Sequence, residues 1–182
     1  MAVKGILKYG DPILRKRCKN VEDFGTISNL VEEMFDTMYE EDGIGLASNQ
    51  IGENLHLFVI DISHTDENEK PRIFINSSIQ KKNGKCLSLE GCLSIPGIQV
   101  EVKRSESVTL KYSILDGSEK EEEFDGLLAR AIQHEIDHLN GIFIVDRLSD
   151  LAKMQFKKEL KSIKNEAVKK STLSEQSQGI VL

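Results

Sequence analysis

Two histidines four residues apart are the strongest chemical signal in the sequence. They belong to the run His134-Glu135-Ile136-Asp137-His138. On an α-helix, positions i and i+4 lie one turn apart on the same face, so both imidazoles can reach one metal ion. Glu135 leaves the helix axis about 100° away from His134, where its carboxylate can accept a proton from an activated water. The pentad predicts a metal site with a neighbouring base; the alternative is a helix that carries two histidines by chance.

The pentad does not identify the third ligand of the metal ion. A catalytic site of this kind needs about three protein ligands, and downstream of the pentad the chain offers carboxylates such as Asp146 and Glu159 but no histidine. Upstream, Cys92 follows Gly91 and precedes a short apolar turn that ends in Pro96-Gly97. This context favours a presented thiolate, although a lone cysteine is also often a small buried apolar residue. A thiolate with two imidazoles would favour iron(II), zinc, cobalt or nickel over magnesium or calcium.

Apolar periodicity indicates the elements that must position these residues. A helical period covers residues 28–40, 127–139 and 150–170. Strand patterns cover residues 55–62, 72–75, 98–102, 108–114, 119–124 and 142–145. We therefore expect an α+β fold, with short antiparallel β-sheets packed around a central metal-binding helix. An N-terminal helix and a C-terminal helix complete it.

Composition limits the class of protein and its compartment. A chain of 182 residues suits one domain, which we place at residues 1–170, followed by a polar, disordered tail at 171–182. The formal charge of −6 disfavours a general nucleic-acid-binding surface, so we expect no specific nucleic acid as partner. An odd set of three cysteines, no export signal and no stretch of about 20 apolar residues predict a cytoplasmic protein without a membrane segment.

Three segments in this order resemble the peptide deformylase family. They are Gly-Ile-Gly-Leu-Ala-Ser-Asn-Gln at 43–50, Glu-Gly-Cys-Leu-Ser at 90–94, and Gln-His-Glu-Ile-Asp-His-Leu at 133–139. The segment Tyr-Gly-Asp-Pro-Ile-Leu-Arg at 9–15 also looks like the N-terminal part of that family. The resemblance spans about residues 5–148 and is far more specific than the helix pentad alone.

The resemblance implies a catalytic set and a reaction. Three metal ligands are implied: Cys92, His134 and His138. Glu135 resembles the general acid/base, while Gln50 and the backbone N–H of Leu93 look like the donors that stabilise the oxyanion. The reaction would remove the formyl group from the N-terminal formylmethionine of nascent peptides and release formate. The implied cofactor is one divalent metal ion, Fe²⁺ first, with Zn²⁺, Ni²⁺ or Co²⁺ as substitutes.

The resemblance also implies how a substrate would lie. Gly45 resembles the residue whose backbone holds the peptide extended, and Ile44, Leu127 and Ala131 resemble the apolar walls of a methionine pocket. Arg130 is a departure from an often aliphatic position. We expect it to line the mouth of the cleft and to influence residues beyond methionine; a solvated helix charge is the alternative.

The C-terminal helix concentrates positive charge. Residues 150–170 hold seven lysines against three acidic residues. The family resemblance implies contact with the ribosome through this helix, since ribosomal RNA is a polyanion; an exposed, solvating face is the alternative. Two other functions compete with deformylation, a zinc metalloprotease that uses the same His-Glu-x-x-His helix and a non-catalytic module with a structural metal.

Overall fold

The computed structural model describes residues 3–178, and the side chains of residues 3–168, as a mixed α+β fold. The helices are α1 Ser28–Glu40, α2 Gly126–Leu139, α3 Asp150–Met154 and α4 Lys157–Gln178. The strands are β1 Gly45–Ala47, β2 Leu57–Ile60, β3 Arg72–Asn83, β4 Cys86–Cys92, β5 Ile95–Arg104, β6 Ser107–Ser113 and β7 Glu119–Asp125. The α+β prediction is confirmed. Within this part of the chain, no helix combines the length and apolar character that a membrane crossing demands.

An antiparallel five-stranded sheet separates two helices. Its strand order is β1-β2-β3-β6-β7. Strand β2 shows why both faces are covered: Phe58 points into the core that contains Ile132 of α2, whereas Leu57 and Val59 point into the core that contains Met34 of α1. All five side chains are fully buried. Alternation along the strand therefore fixes α2 on one face and α1 on the other.

A second sheet is the hairpin of β4 and β5. On β5 the inward side chains Ile98, Val100 and Val102 are buried with Phe143 and Leu160 in a third apolar cluster. This cluster joins the hairpin to the C-terminal part of the chain. The hairpin is thereby held beside α2, and Cys92 at the end of β4 faces that helix.

Helix α2 ends where the N-terminal segment crosses it. Gly141 has a φ of +72°, and a Cβ there would lie 2.4 Å from the carbonyl oxygen of Arg15, so glycine is required on two counts. The Arg15 guanidinium donates to the Gly141 carbonyl, and the Cys18 N–H donates to the Leu139 carbonyl. These bonds satisfy carbonyls that the end of a helix leaves open.

The N-terminal segment is also tied to the two site-bearing loops. The Leu7 N–H donates to the Gln50 carbonyl over 2.7 Å, and the Tyr9 N–H donates to the Ser94 carbonyl over 2.8 Å. At Gly10, with a φ of +112°, an added Cβ would lie 2.6 Å from Cγ of Lys164 on α4. The segment is therefore enclosed between the site and the C-terminal helix.

Two element predictions are wrong and one needs adjustment. Residues 142–145 form no strand; Phe143 is extended and Ile144–Arg147 makes a 3-10 turn, closed by a bond from the Phe143 N–H to Asp146. The single helix predicted at 150–170 is broken into α3 and α4, because Phe156 turns into the third apolar cluster. Helix α4 continues through the predicted tail to Gln178, and residues 179–182 lie outside the described residues.

Candidate metal centre

Three metal-ligating atoms meet between α2 and the end of β4. The donor atoms of Cys92, His134 and His138 all lie within 4.8 Å of one another. One ion with bonds of about 2.0–2.3 Å to sulfur and nitrogen would span that separation. The set is a group that could hold a metal ion, and its mixture of one thiol with two imidazoles suits a borderline transition metal.

The hairpin and the helix each supply part of this set. Cys92 is the last residue of β4, where the pairing with β5 shifts from Gly91–Gln99 to Cys92–Ile95. This change of register occurs where the chain enters the tight turn between Cys92 and Ile95. On α2 the two imidazole rings have centroids 5.0 Å apart, as expected for one helical turn. The Cys92 Sγ lies 3.1 Å from Nε2 of His138.

The protonation of these groups is coupled. Burial alone would raise the pKa of the Cys92 thiol, but the neighbouring His138 and His134 outweigh it and hold that pKa well below its ordinary value. Burial would lower the pKa of His134, but hydrogen bonds to Cys92 and Glu90 raise it well above the ordinary value. The thiolate is the form that ligates metals, so the pocket favours the competent state of Cys92.

A buried ion-pair network orients His134. Glu90 accepts from His134 Nδ1 over 3.1 Å and receives a two-pronged bond from Arg104, 2.8 Å on each oxygen. Burial would raise the pKa of Glu90, yet the bonds from Arg104 and His134 lower it to about 2. Because the carboxylate occupies Nδ1, the other ring nitrogen is left for a metal.

The ion-pair network continues along α2, and it was not predicted from the sequence. Arg104 also donates to Asp137 over 2.6 Å, and Arg147 donates to both oxygens of the same carboxylate. The alternation along β5 was the available signal. Arg104 continues the every-second-residue series of Ile98, Val100 and Val102, so its side chain lies on the inward face of the strand. An inward cation needs a buried partner.

Glu135 lies beside the three metal-ligating side chains but is not part of that set. Its side chain is buried, and its Oε2 has no hydrogen-bond partner among the described residues. Burial raises the pKa of Glu135, opposed by the two nearby histidines. A buried carboxyl with a free oxygen and a raised pKa is suited to accepting and returning a proton.

A hydrogen bond from the backbone of Ala47 orients the Gln50 side chain toward the metal-ligating atoms. Its Oε1 accepts from the Ala47 N–H over 2.9 Å, which orients Nε2 toward Ser94 Oγ at 3.2 Å and Cys92 Sγ at 4.0 Å. Ser94 was not predicted as a site residue. The amide therefore presents a fixed donor next to the thiol.

These groups border a cleft of about 520 Å³. Ten of the eleven predicted site residues line it: Ile44, Gly45, Gln50, Cys92, Leu93, Leu127, Arg130, Ala131, His134 and Glu135. The eleventh, His138, is buried behind Cys92. Beyond the predicted residues, the charged members of the lining are Lys8, Glu41, Asp42 and Glu90. A volume of this size accommodates a small ligand or the end of a peptide.

Fold and site together define a candidate metallohydrolase: a Cys-His-His group beside a buried carboxyl in a cleft. The profile of the polypeptide deformylase family matches residues 3–154. A peptide deformylase of Thermodesulfovibrio yellowstonii is 42% identical over 165 residues, covering 90% of this chain and all of that protein. One of Chromobacterium violaceum is 46% identical over 162 residues, covering 88% and 96%.

Solved structures agree with the sequence matches. A peptide deformylase from Legionella pneumophila superposes with a TM-score of 0.83 at 41% identity, covering 92% of this chain and 98% of that chain. One from Thermus thermophilus gives 0.84 at 38% identity, covering 91% and 99%. The chain belongs to the peptide deformylase family, a family of enzymes, as the motifs predicted. The metalloprotease alternative finds no support among these relatives.

Proposed function

We propose that this protein removes the formyl group from N-terminal formylmethionine of nascent peptides and releases formate. The observation that carries the proposal is the meeting of Cys92, His134 and His138 beside the buried carboxyl of Glu135. Membership of the deformylase family supports the same reaction. Since nascent chains are the substrate, we place the activity in the cytoplasm.

In this proposal Cys92, His134 and His138 hold one divalent metal ion. Bound there, the metal would act as a Lewis acid and lower the pKa of a water molecule. A thiolate and two imidazoles accept Fe²⁺, which we propose as the native ion, and also Zn²⁺, Ni²⁺ or Co²⁺. The bond from Glu90 to His134 Nδ1 fixes the ring for that purpose.

The protein's own groups carry the proton and the developing charge. Glu135 accepts the proton of the attacking water at its unpaired Oε2 and returns it to the leaving amine. Gln50 Nε2 donates to the oxyanion that forms from the formyl oxygen, and the Leu93 N–H is the second donor. The bond from the Ala47 N–H holds the Gln50 amide in place before the reaction begins.

The cleft suits an extended peptide with an apolar first side chain. Strand β1, which begins at Gly45, pairs only with β2 among the described strands, so its outer edge can pair with a substrate backbone. Ile44, Leu127 and Ala131 form apolar walls for methionine. These features support the proposed binding mode, in which the formyl group points to the metal donors.

Arg130 is proposed to contact the residues after methionine. Its Nε is buried without a hydrogen-bond partner among the described residues, and no carboxylate there pairs with it. Arg130→Ile should therefore remove any preference for an acidic third residue over a neutral one. Equal preferences in the two enzymes, measured by formate release, would remove Arg130 from the substrate site.

Substitution of Glu135 tests the reaction. Glu135→Gln keeps size and polarity but cannot transfer the proton, so formate release from a formyl-methionyl tripeptide should fall by about 10²–10⁴-fold, while metal content stays at the wild-type level. Glu101→Gln, an exposed carboxylate of β5, is the matched control and should be fully active. Cleavage of an internal peptide bond without formate would instead establish a protease.

Ribosome contact through α4 is a further part of the proposal. Lys157, Lys158 and Lys161 are exposed and have no ion pair among the described side chains. Cosedimentation with ribosomes should weaken steeply with salt, because each phosphate contact releases counterions. Replacing all three lysines with serine should reduce both the binding and its salt dependence; binding that ignores salt would contradict this role.

A further inference from the structure

A second cavity lies away from the cleft, between α2 and the two connections that join the five-stranded sheet to the hairpin of β4 and β5. The turn from β3 to β4 contributes Gly84 and Lys85, the turn from β5 to β6 contributes Ser105, and α2 contributes Gln133 and Asp137. Its volume is about 340 Å³. None of the proposed metal ligands lines it, so whatever it binds does so outside the deformylase cleft.

The lining of this cavity is strongly cationic. Its five basic residues are Lys82, Lys85, Lys103, Arg104 and Arg147. Asp137 is the one acidic residue in the lining, and Glu106 lies next to Gly84 at the edge. A chain with a net charge of −6 thus concentrates positive charge at one concave point, which attracts an anion from solution.

The two arginines of the cavity are paired with acidic side chains, but its three lysines are not. Asp137 is consumed by Arg104 and Arg147, and Arg104 is further held by Glu90. Lys82, Lys85 and Lys103 form neither an ion pair nor a side-chain hydrogen bond within residues 3–168. Arg147 uses Nε and Nη2 on Asp137 and keeps Nη1 free of partners there.

Three mobile ammonium groups around an ordered guanidinium suit a phosphate group better than a single carboxylate. A phosphate has several strong acceptor oxygens and can take bonds from more than one cation at once. A guanidinium matches its geometry, and lysine ammonium groups add point charges from any direction. Two apolar side chains, Ile79 and Ile136, also line the cavity and provide contact surface for a non-polar part of such a ligand.

We propose that this cavity is a phosphate-binding site, distinct from the deformylase centre. Lys82, Lys85, Lys103 and the free Nη1 of Arg147 donate to the phosphate oxygens, and Arg104 keeps Arg147 in register through the shared Asp137. The phosphate belongs either to a free phosphorylated small molecule or to the backbone of an RNA strand. A free phosphorylated molecule and an RNA backbone would present the same phosphate oxygens to these side chains.

The site is tested on the metal-loaded, full-length protein by following backbone amide signals in NMR titrations. One titration uses inorganic phosphate, the other a short oligouridylate at the same phosphate concentration. The test variant carries Lys82→Ser, Lys85→Ser and Lys103→Ser. The control carries Lys70→Ser, Lys81→Ser and Lys120→Ser, three exposed lysines outside the cavity, and has the same net charge.

Binding should shift the amides at 82–85 and 103–105, and the test variant should weaken it by about tenfold or more. The control should stay within about twofold of wild type, since its three lysines lie outside the cavity and salt screens charges at a distance. A response to inorganic phosphate identifies a free ligand, and a response to oligouridylate alone identifies RNA. Equal weakening in both triple variants, no binding, or shifts confined to the surroundings of Cys92 and His134 would overturn the proposal.

Discussion

Substitution of Gly45 by alanine tests the close contact between β1 and the proposed base. A Cβ at this position would lie 2.5 Å from Oε1, 3.1 Å from Cδ and 3.3 Å from Cγ of Glu135. Ordinary contact begins at 3.4 Å, so the carboxyl oxygen must retreat by about 0.9 Å. Glu135 is buried at the edge of the cleft, so relieving the overlap requires a change of rotamer that moves its carboxyl from its position beside the metal-ligating atoms.

The cost should appear in turnover rather than in folding. Displacing a catalytic group by about 1 Å can lower the rate about 10²-fold, which corresponds to about 2.7 kcal/mol of transition-state free energy. The strained rotamer costs about 0.5–1.5 kcal/mol of stability, which leaves the protein folded. Alanine retains the N–H and C=O of Gly45, so pairing with a peptide should survive and KM should change little.

The assay is formate release from a formyl-methionyl tripeptide, with kcat and KM determined separately and the melting temperature measured beside them. Gly5→Ala is the matched control, because a Cβ at Gly5 meets nothing within 4 Å. A kcat within about twofold of wild type would refute the reasoning, since the expected loss is about 10²-fold. So would a raised KM with unchanged kcat, which would place the loss in peptide binding instead.

Three further substitutions probe stability by denaturant unfolding. Arg104→Met removes the arginine that two buried carboxylates share and should lower the free energy of unfolding by about 3–5 kcal/mol; a loss below about 1 kcal/mol, the value of an exposed pair, would contradict this. Gln133→Leu breaks bonds to the Ser105 and Ala129 backbone and should cost about 1–3 kcal/mol, whereas Ser105→Ala should be neutral because its hydroxyl makes no hydrogen bond to any described residue. Burial raises the pKa of Asp146, but Arg15 and Lys153 outweigh it and lower that pKa from 3.8 to about 2. The advantage of wild type over Asp146→Asn should therefore be complete above pH 3.8 and disappear as the pH falls through about 2; a constant difference would exclude this linkage.

Element predictions succeeded where one apolar face is strongly periodic. Helix α1 has the predicted bounds 28–40, and α2 begins one residue before the predicted 127. Strand β4 was missed because its apolar members Leu87 and Leu89 are exposed, so no buried face marks it. The apolar run at 142–145 was misread because a short run has the same composition in a strand and in a buried turn.

The candidate site shows a different limit to prediction from the sequence. The pentad on α2 could be interpreted locally, because one helical turn fixes the relation between His134 and His138. Cys92 lies 42 positions earlier in the chain, and only a tertiary fold or a family resemblance can place it beside them. The ion pair that orients His134 was missed for the same reason: Glu90, which bonds His134, and Arg104, which bonds Glu90, come from neighbouring strands, and their pairing is a property of the hairpin.

The enclosure of the N-terminal segment has a consequence for biosynthesis. Leu7 and Tyr9 brace the loops of Gln50 and Ser94, while Gly10 is covered by Lys164. During synthesis, Leu7 and Tyr9 therefore remain without these partners until residues 50 and 94 have been translated, and Gly10 remains uncovered until Lys164 follows. Contacts of such long sequence separation slow folding, so we expect this N-terminal segment to dock late, after the loops and the helix that enclose it.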